Sequence, residues 1–311
     1  MFATVMLLTY NQEPYVAAAV QAILAQDCEP IDILISDDAS SDGTVKAIEA
    51  ALSGYSGPHR VRVNQNPLNL GIARHINRCM EMIDTEIVIA AAGDDISMPD
   101  RVARTLAAFR HTGALLVHSR VEQMGADGEV LSGTYPQDAA LFLRSTALRR
   151  AAVSMALYIG ATGAWHRALF DRYGPIRDPA CYEDLILGFR AALEGRIAFV
   201  DQPLVRYRIG LGVSHVDALT KPAAEWKATR LRSLGRERKV LEHRLADTEL
   251  SENPDKNAIM ALLQRAIRTN DLRLASYGAP PALFLARHWA RLPAAVDVLL
   301  SERRKQRRTT V

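Results

Sequence analysis

The stretch that most restricts how this chain can fold is residues 31–44, IDILISDDASSDGT. Ile31, Ile33, Leu34 and Ile35 form a short apolar run. Asp37, Asp38, Ser40, Ser41 and Asp42 break it, and a helix-forming segment resumes after Gly43. A continuous apolar run bounded by turn residues suits a strand buried on both faces, as in a parallel sheet. Carboxylates at the C-terminal end of such a strand lie at the crevice where open α/β sheets bind ligands. Capping the following helix would occupy Asp42 alone. The additional acids and serines therefore indicate a ligand site.

The same rhythm runs through the first 120 residues. Strands are predicted at 3–9, 31–37, 60–64, 86–91 and 114–119, with helices at 14–25, 43–52, 72–82 and 99–109 between them. Such βαβ alternation specifies an α/β fold with a doubly wound, mostly parallel sheet. A hairpin at 124–133 around Asp127-Gly128 follows, and then a polar, helical excursion to about residue 158. The pattern returns with 160–165, a helix at 183–194 and strands at 196–201 and 204–209. Beyond residue 217 strand signals vanish, and helices at 221–250, 254–276 and 281–304 form a C-terminal helical appendage, the last two separated by Gly278-Ala279-Pro280-Pro281. The expected division is 1–216 for nucleotide binding and catalysis and 217–311 for oligomerisation, acceptor or membrane association.

The 311 residues, 49% hydrophobic and 23% charged, provide ample core, and a net charge of +3 gives no basis for a nucleic-acid partner. Cys28, Cys79 and Cys181 form no CxxC pair, as suits a reducing cytoplasm without structural zinc. The N-terminus reads as a first strand rather than a signal peptide, and no apolar run approaches the roughly 18 residues of a membrane span.

Thr9-Tyr10-Asn11 closes the first strand and falls beside Asp37 and Asp38 if the first two strands are neighbours, where an aromatic ring with amide and carboxylate acceptors suits a nucleobase and ribose. A simple strand-to-helix turn capped by Asn11 reads the segment alone equally well. Residues 64–71, NQNPLNLG, are a turn-rich loop at the same sheet edge and read either as a connection or as a nucleotide contact. A second acidic turn, Ala92-Gly93-Asp94-Asp95, ends the strand at 86–91. Adjacent carboxylates repel unless a cation lies between them, and Mg²⁺ or Mn²⁺ held by one or two carboxylates plus phosphate oxygens is one arrangement. A solvated Asp-Asp turn before a helix starting at Pro99 is the other, and the more common for an isolated pair.

Taken in order, TYNQE, ISDDASSDGT, NLG and GDDISMPDR resemble the inverting family 2 glycosyltransferases of GT-A fold, of the bacterial surface-glycan type. The resemblance is specific from residue 3 to about 110, looser to about 215, and absent from the C-terminal helices. It implies that Thr9, Tyr10, Asn11, Glu13, Asp37, Asp38, Asn69 and Gly71 bind the nucleotide-sugar. It further implies that Asp94 and Asp95 bind metal and diphosphate. The family often carries a further carboxylate where this chain has Ala92, so Asp94 and Asp95 share the metal and ribose roles. The acidic pair Glu183-Asp184, which a helix dipole alone would also favour, becomes by resemblance the catalytic pair. Asp184 is then the base, with Glu183 orienting acceptor or base.

Three further residues are candidates. Trp165, in the small-residue run Gly160-Ala161-Thr162-Gly163-Ala164, could face a sugar or fill the core; its neighbour His166 reads as surface. Arg208 and His215 flank a glycine-containing loop and are candidate diphosphate or metal partners. At the C-terminus, Leu283, Phe284, Leu285, Trp289, Leu292, Val296, Leu299 and Leu300 mix with Arg287 and Arg291 before a final Arg303-Arg304-Lys305-Gln306-Arg307-Arg308. That pattern fits a helix packed on its own domain or one lying on the inner face of the cytoplasmic membrane.

The expected activity is metal-dependent transfer from a UDP- or dTDP-sugar to a hydroxyl of a glycan or lipid-linked acceptor, by a cytoplasmic or peripheral enzyme that could form a homo-oligomer. Two other readings compete with it. A sugar-phosphate nucleotidyltransferase would want a glycine-rich basic loop after the first strand, which TYNQEPY lacks. A non-catalytic nucleotide-sugar-binding scaffold would bind without turnover.

Overall fold

The computed structural model describes residues 2–132, 148–210 and 223–309. Strand β1 (Ala3–Thr9) is buried along nearly its whole length. Elements then alternate as its apolar character anticipates: α1 (Val16–Leu24), β2 (Asp32–Asp37), α2 (Thr44–Leu52), β3 (Arg60–Gln65), α3 (Ile72–Met82), β4 (Ile87–Ala92), β5 (Ile96–Ser97), α4 (Arg101–Thr112) and β6 (Leu116–Met124). The second half adds α5 (Leu148–Val153), β7 (Ala164–His166), α6 (Ala168–Tyr173), α7 (Glu183–Leu193) and β8 (Ile197–Arg208). Helices α8 (Ala223–Leu250), α9 (Lys256–Ser276), α10 (Pro281–Arg287) and α11 (Leu292–Thr309) follow.

The strands form one sheet in the order β3-β2-β1-β4-β7-β6-β8-β5. Pairs β1–β2, β1–β4, β2–β3 and β6–β8 are parallel, while β7 and β5 are short antiparallel insertions. All six residues of β2 are buried, which is why they read as an apolar run; each buried Ile or Leu contributes about 1.5–3 kcal/mol. Helix α1 turns Val16, Ala19, Val20 and Ile23 inward at helical spacing, and they join β1, β2 and β4 side chains in the main core.

The fold departs from the sequence pattern in three places. The two strands anticipated at 196–201 and 204–209 are one continuous β8, whose register against β6 shifts around Arg120. Pro203, with no N–H to donate, sits opposite Arg120 at this irregularity, where a bulge tolerates it. Residues Ala164–His166, to which the sequence pattern assigns no element type, form β7 wedged between β4 and β6. The helix expected over 281–304 breaks after Arg287, with a 3-10 turn at Trp289–Arg291, because Pro293 disfavours a helix running through it.

The chain divides into two compact units, Met1–His215 and Val216–Val311. Within the second, α8 packs along α9, and α10 and α11 pack on α9. Glu302 of α11 is buried, accepting hydrogen bonds from Arg230 Nε and Nη2 of α8 (both 2.8 Å) and from Tyr277 Oη (2.8 Å).

Candidate active site

The parallel register brings three strand ends to one edge. Thr9 lies opposite Asp37, and Leu8 opposite Ala92. Backbone bonds tie the following turns to β1: Asp38 N donates to Thr9 O (2.9 Å) and Gly93 N to Leu8 O (3.0 Å).

At the first edge the Asp37 carboxylate is buried and organises its own turn. It accepts Thr9 Oγ1 (2.9 Å), Ser40 N (2.8 Å) and Ser40 Oγ (2.5 Å). Ser40 Oγ in turn accepts Asn11 N (2.8 Å), and Asn11 Oδ1 accepts Ser41 N (2.8 Å). Asn11 has φ +51°, a conformation asparagine tolerates better than most residues. Asp38 accepts Asn66 Nδ2 (2.8 Å), Leu70 N (2.9 Å) and Gly71 N (2.9 Å), so it holds the 66–71 loop in place. Asn69 Oδ1 also accepts Gly71 N (3.0 Å), and Gly71 has φ +72°, which favours glycine there. Glu13 Oε2 accepts Gly43 N (2.8 Å) and Asp42 Oδ1 accepts Thr44 N (3.0 Å), so two acids meet the first turn of α2. A Cβ on Gly43 would lie 2.4 Å from Glu13 Oε1.

The expectation that all these residues face the nucleotide is therefore revised. Asp37, Asp38, Glu13 and Asn11 bond to backbone N–H groups of tight turns and a helix start, groups that lack partners of their own. Tyr10, 48% exposed, and Asn69 are the side chains left open at this edge.

At the second edge Gly93 is required by contact: a Cβ there would lie 2.4 Å from Gln12 Oε1 and 2.9 Å from Thr9 Cγ2. Asp94 is half-buried and hydrogen-bonded by the Gln12 side chain, and burial pushes its carboxyl above the usual range. Asp95 is buried; burial first, and the neighbouring Asp94 charge second, push it well up. Arg208 N donates to Asp95 Oδ1 (2.8 Å). The buried Arg101 stands near by, donating to Ala90 O (2.5 Å), Ala161 O (2.7 Å) and Ser97 Oγ (2.9 Å). Burial pulls its guanidinium down to about 10, so it stays charged at neutral pH.

Two adjacent, desolvated carboxylates, one of them raised further by its neighbour's charge, fit a divalent cation, which would relieve both effects. Among the described residues no group of three or more His, Cys, Asp or Glu is placed to hold a metal ion by itself. The other ligands would thus come from water and phosphate oxygens. His215 lies outside the described residues.

Arg208 is not an open diphosphate ligand. It is buried, donates from Nε to Asp94 O (3.0 Å) and from Nη1 to Gly125 O (2.8 Å) and Ala126 O (2.9 Å), and stacks on Tyr15 at 4.4 Å. β5 pairs antiparallel with β8 through Ser97 and Val205, which brings the end of β8 beside the acidic turn.

The third component is the start of α7. Asp184 Oδ1 accepts Leu185 N (2.7 Å). Glu183 is half-buried, and burial raises its carboxyl above the usual range. Gly160 faces it so closely that a Cβ would lie 2.2 Å from Glu183 Oε1. Tyr158 is buried behind this turn, its hydroxyl without a hydrogen-bond partner among the described residues; burial, then Glu183 and Asp184, push its pKa well up. Arg101 links the components, since it bonds Ala161 beside Gly160 and its charge acts on Asp95.

Trp165 is not part of the site. Its side chain is fully buried in β7, whose partners are Val88 and Leu116, and no sugar can reach it. His166 is half-buried, with Nδ1 accepting Ala168 N (3.1 Å). Gln12, Arg101 and Tyr158 enter the site without having been singled out from sequence, whereas Gly160 belongs to the small-residue run named there with Trp165. Gln12 and Arg101 lie inside the motifs TYNQE and GDDISMPDR, the one signal that could have marked them.

The model of the family described as Glycosyl transferase family 2 matches residues 4–174. The chain is 30% identical over 104 residues to "Putative glycosyltransferase EpsE" of Bacillus subtilis (strain 168), a match covering 33% of this chain and 37% of that protein. The likeness thus spans little more than a third of that relative. Among solved structures, S. aureus TarS 1-349 superposes with TM-score 0.63 at 15% identity, covering 98% of this chain and 92% of that one. The mannosyltransferase PcManGT from Pyrobaculum calidifontis gives 0.57 at 19% identity, covering 99% and 84%. At such identities the structures establish a shared fold, a mostly parallel α/β sheet of GT-A type followed by helices.

Proposed function

Since the chain belongs to glycosyl transferase family 2, we propose that it is a metal-dependent, inverting transferase. It would move a sugar from a UDP- or dTDP-linked donor to a hydroxyl of a glycan or lipid-linked acceptor in surface-polysaccharide synthesis. The observation that carries this reading is the juxtaposition, through β1, β2 and β4, of an open aromatic edge at Tyr10 with the buried Asp94–Asp95 turn. The Glu183–Asp184 turn, linked to it through Arg101 and Ala161, adds the base. TarS crystallised with UDP-GlcNAc and PcManGT with GDP-Man and Mn²⁺ support a nucleotide-sugar donor and a divalent ion.

In this reading Tyr10 covers the nucleobase, and the loop that Asp38 holds presents Asn69 to the nucleoside. Asp94 and Asp95 would hold Mg²⁺ or Mn²⁺, which when bound offsets the charge developing on the leaving diphosphate. Asp184 takes the proton from the acceptor hydroxyl as its oxygen forms the new bond to the anomeric carbon. The bond from that carbon to the phosphate oxygen breaks in the same step, inverting the centre. Glu183, held beside Gly160, orients acceptor or base. A lipid-linked acceptor would place the protein at the inner membrane surface, with the basic C-terminus as the contact.

Calorimetry with UDP, dTDP, GDP and CDP, each with and without Mn²⁺, tests the donor site. Metal-dependent binding of one nucleotide is expected, and no binding of any overturns the reading. Asp184→Asn should then abolish transfer and leave that binding intact; full transfer by the variant would remove Asp184 as base.

A further inference from the structure

The C-terminal unit satisfies its own packing and still leaves an apolar line uncovered. On α11, Ala295 and Val298 are buried and Leu299 half-buried against Leu272 and Phe284, and the buried Glu302 continues the same face. Leu292, Val296 and Leu300 recur every four residues along a different line of the helix and are 44, 38 and 51% exposed. Trp289 in the preceding turn is 76% exposed, and Leu283 of α10 is exposed as well. Singly such residues are ordinary; a run of them on one line is not.

The rim of this line is basic. Arg287, Arg291, Arg303 and Arg304 are exposed, and α11's periodicity carries the line from Leu300 on to Arg303. Between residues 281 and 306 the only acids are the exposed Asp297 and the buried, Arg230-bridged Glu302. Among the described residues no helix is long and apolar enough to cross a membrane.

We propose that the Trp289–Leu292–Val296–Leu300 face lies on an anionic lipid surface, the indole and aliphatic side chains entering the boundary between headgroups and acyl chains and the arginines meeting lipid phosphates. Charge selects this occupant over a second copy of the chain. A two-fold contact through the stripe would bring the same arginines together from both copies, with Asp297 alone to offset them. The inference names the surface for the membrane contact proposed above and is independent of the donor site, so its failure leaves nucleotide binding untouched.

Vesicle binding by the full chain tests it. Trp165 and Trp226 are buried, so Trp289 dominates any lipid-induced change in the emission of the three tryptophans. Vesicles of phosphatidylcholine with one quarter phosphatidylglycerol should blue-shift the emission and sediment the protein at least tenfold more tightly than pure phosphatidylcholine. Trp289→Ser with Leu292→Ser, both at exposed positions, should weaken sedimentation at least tenfold. Arg303→Glu with Arg304→Glu should erase the preference for anionic vesicles. Absence of binding to either vesicle, or binding unchanged in the serine variant, overturns the proposal. So does a concentration-dependent mass without lipid that the serine variant abolishes, which would assign the face to self-association.

Discussion

Replacing Gly160 with alanine probes the positioning role proposed for Glu183 without changing a carboxylate residue. The new Cβ would stand 2.2 Å from Glu183 Oε1, whereas ordinary contact begins near 3.4 Å, so the carboxylate must retreat by about 1 Å. A misplacement of about 1 Å in a reacting constellation costs roughly 10²-fold. The obstructing atom is the end of a flexible side chain, Glu183 Cδ is already at 3.4 Å, and Gly160 does not occupy the left-handed region. The stability loss should therefore stay under about 1 kcal/mol. With the donor identified by the nucleotide screen, release of nucleoside diphosphate in the presence of acceptor should show kcat lowered about a hundredfold. The nucleotide Kd measured by calorimetry should stay within twofold. A kcat within threefold of the parent would mean that the position of Glu183 does not matter to turnover. An equal loss of nucleotide affinity would mean that the turn belongs to the donor pocket instead. Either result refutes the assignment.

Other substitutions separate positioning from chemistry. Gly235→Ala makes the same chemical change in α8, where an added Cβ meets nothing within 4 Å; activity should be unchanged and unfolding free energy higher by roughly 0.5–1 kcal/mol. Asp38→Ala strips the acceptor from Asn66 Nδ2, Leu70 N and Gly71 N, and should cost roughly 2–4 kcal/mol in urea unfolding; a loss below about 1 kcal/mol would deny Asp38 its hold on the loop. Arg208→Met removes three carbonyl contacts around the Asp94 turn and should reduce the Mn²⁺-dependent part of nucleotide affinity about tenfold. Lysine should not rescue it, since one ammonium cannot reproduce the planar fork. Burial holds His118 neutral down to about 4, against 6.5 when solvated. Below pH 6.5 the unfolded chain therefore takes up a proton that the folded chain refuses. Stability should fall by roughly 1.4 kcal/mol per pH unit, to a total near 3 kcal/mol by pH 4. His118→Leu should remove that slope, and parallel pH profiles for the two proteins would contradict it.

What could be read from sequence divides along a physical line. Strands β1, β2 and β4 were legible because a strand covered on both faces must be apolar throughout, and the acids that follow β2 and β4 mark the sheet edge. β7 was not, because three residues, Ala164–His166, carry no periodicity, and their strand character comes from β4 and β6 on either side. Trp165 followed the ordinary fate of an indole in such a place. The acidic residues show the deeper limit. Sequence locates Asp37, Asp38, Glu13 and Asp42 but does not say which donors lie within 3 Å. In the folded chain those donors are turn and helix-start N–H groups, which no helix or sheet ladder pairs, together with the Thr9, Ser40 and Asn66 side chains. Asp94 and Asp95 differ. Arg208 N takes one oxygen of Asp95 and Gln12 reaches Asp94, yet both carboxyls remain raised by burial. An acid whose oxygens are met by turn amides completes the scaffold. One that the fold desolvates and leaves under-compensated still wants a cation. By that criterion Asp94, Asp95 and Glu183 are the under-compensated acids of the proposed site, whereas the conspicuous DDASSD turn ties itself and the 66–71 loop to the sheet edge.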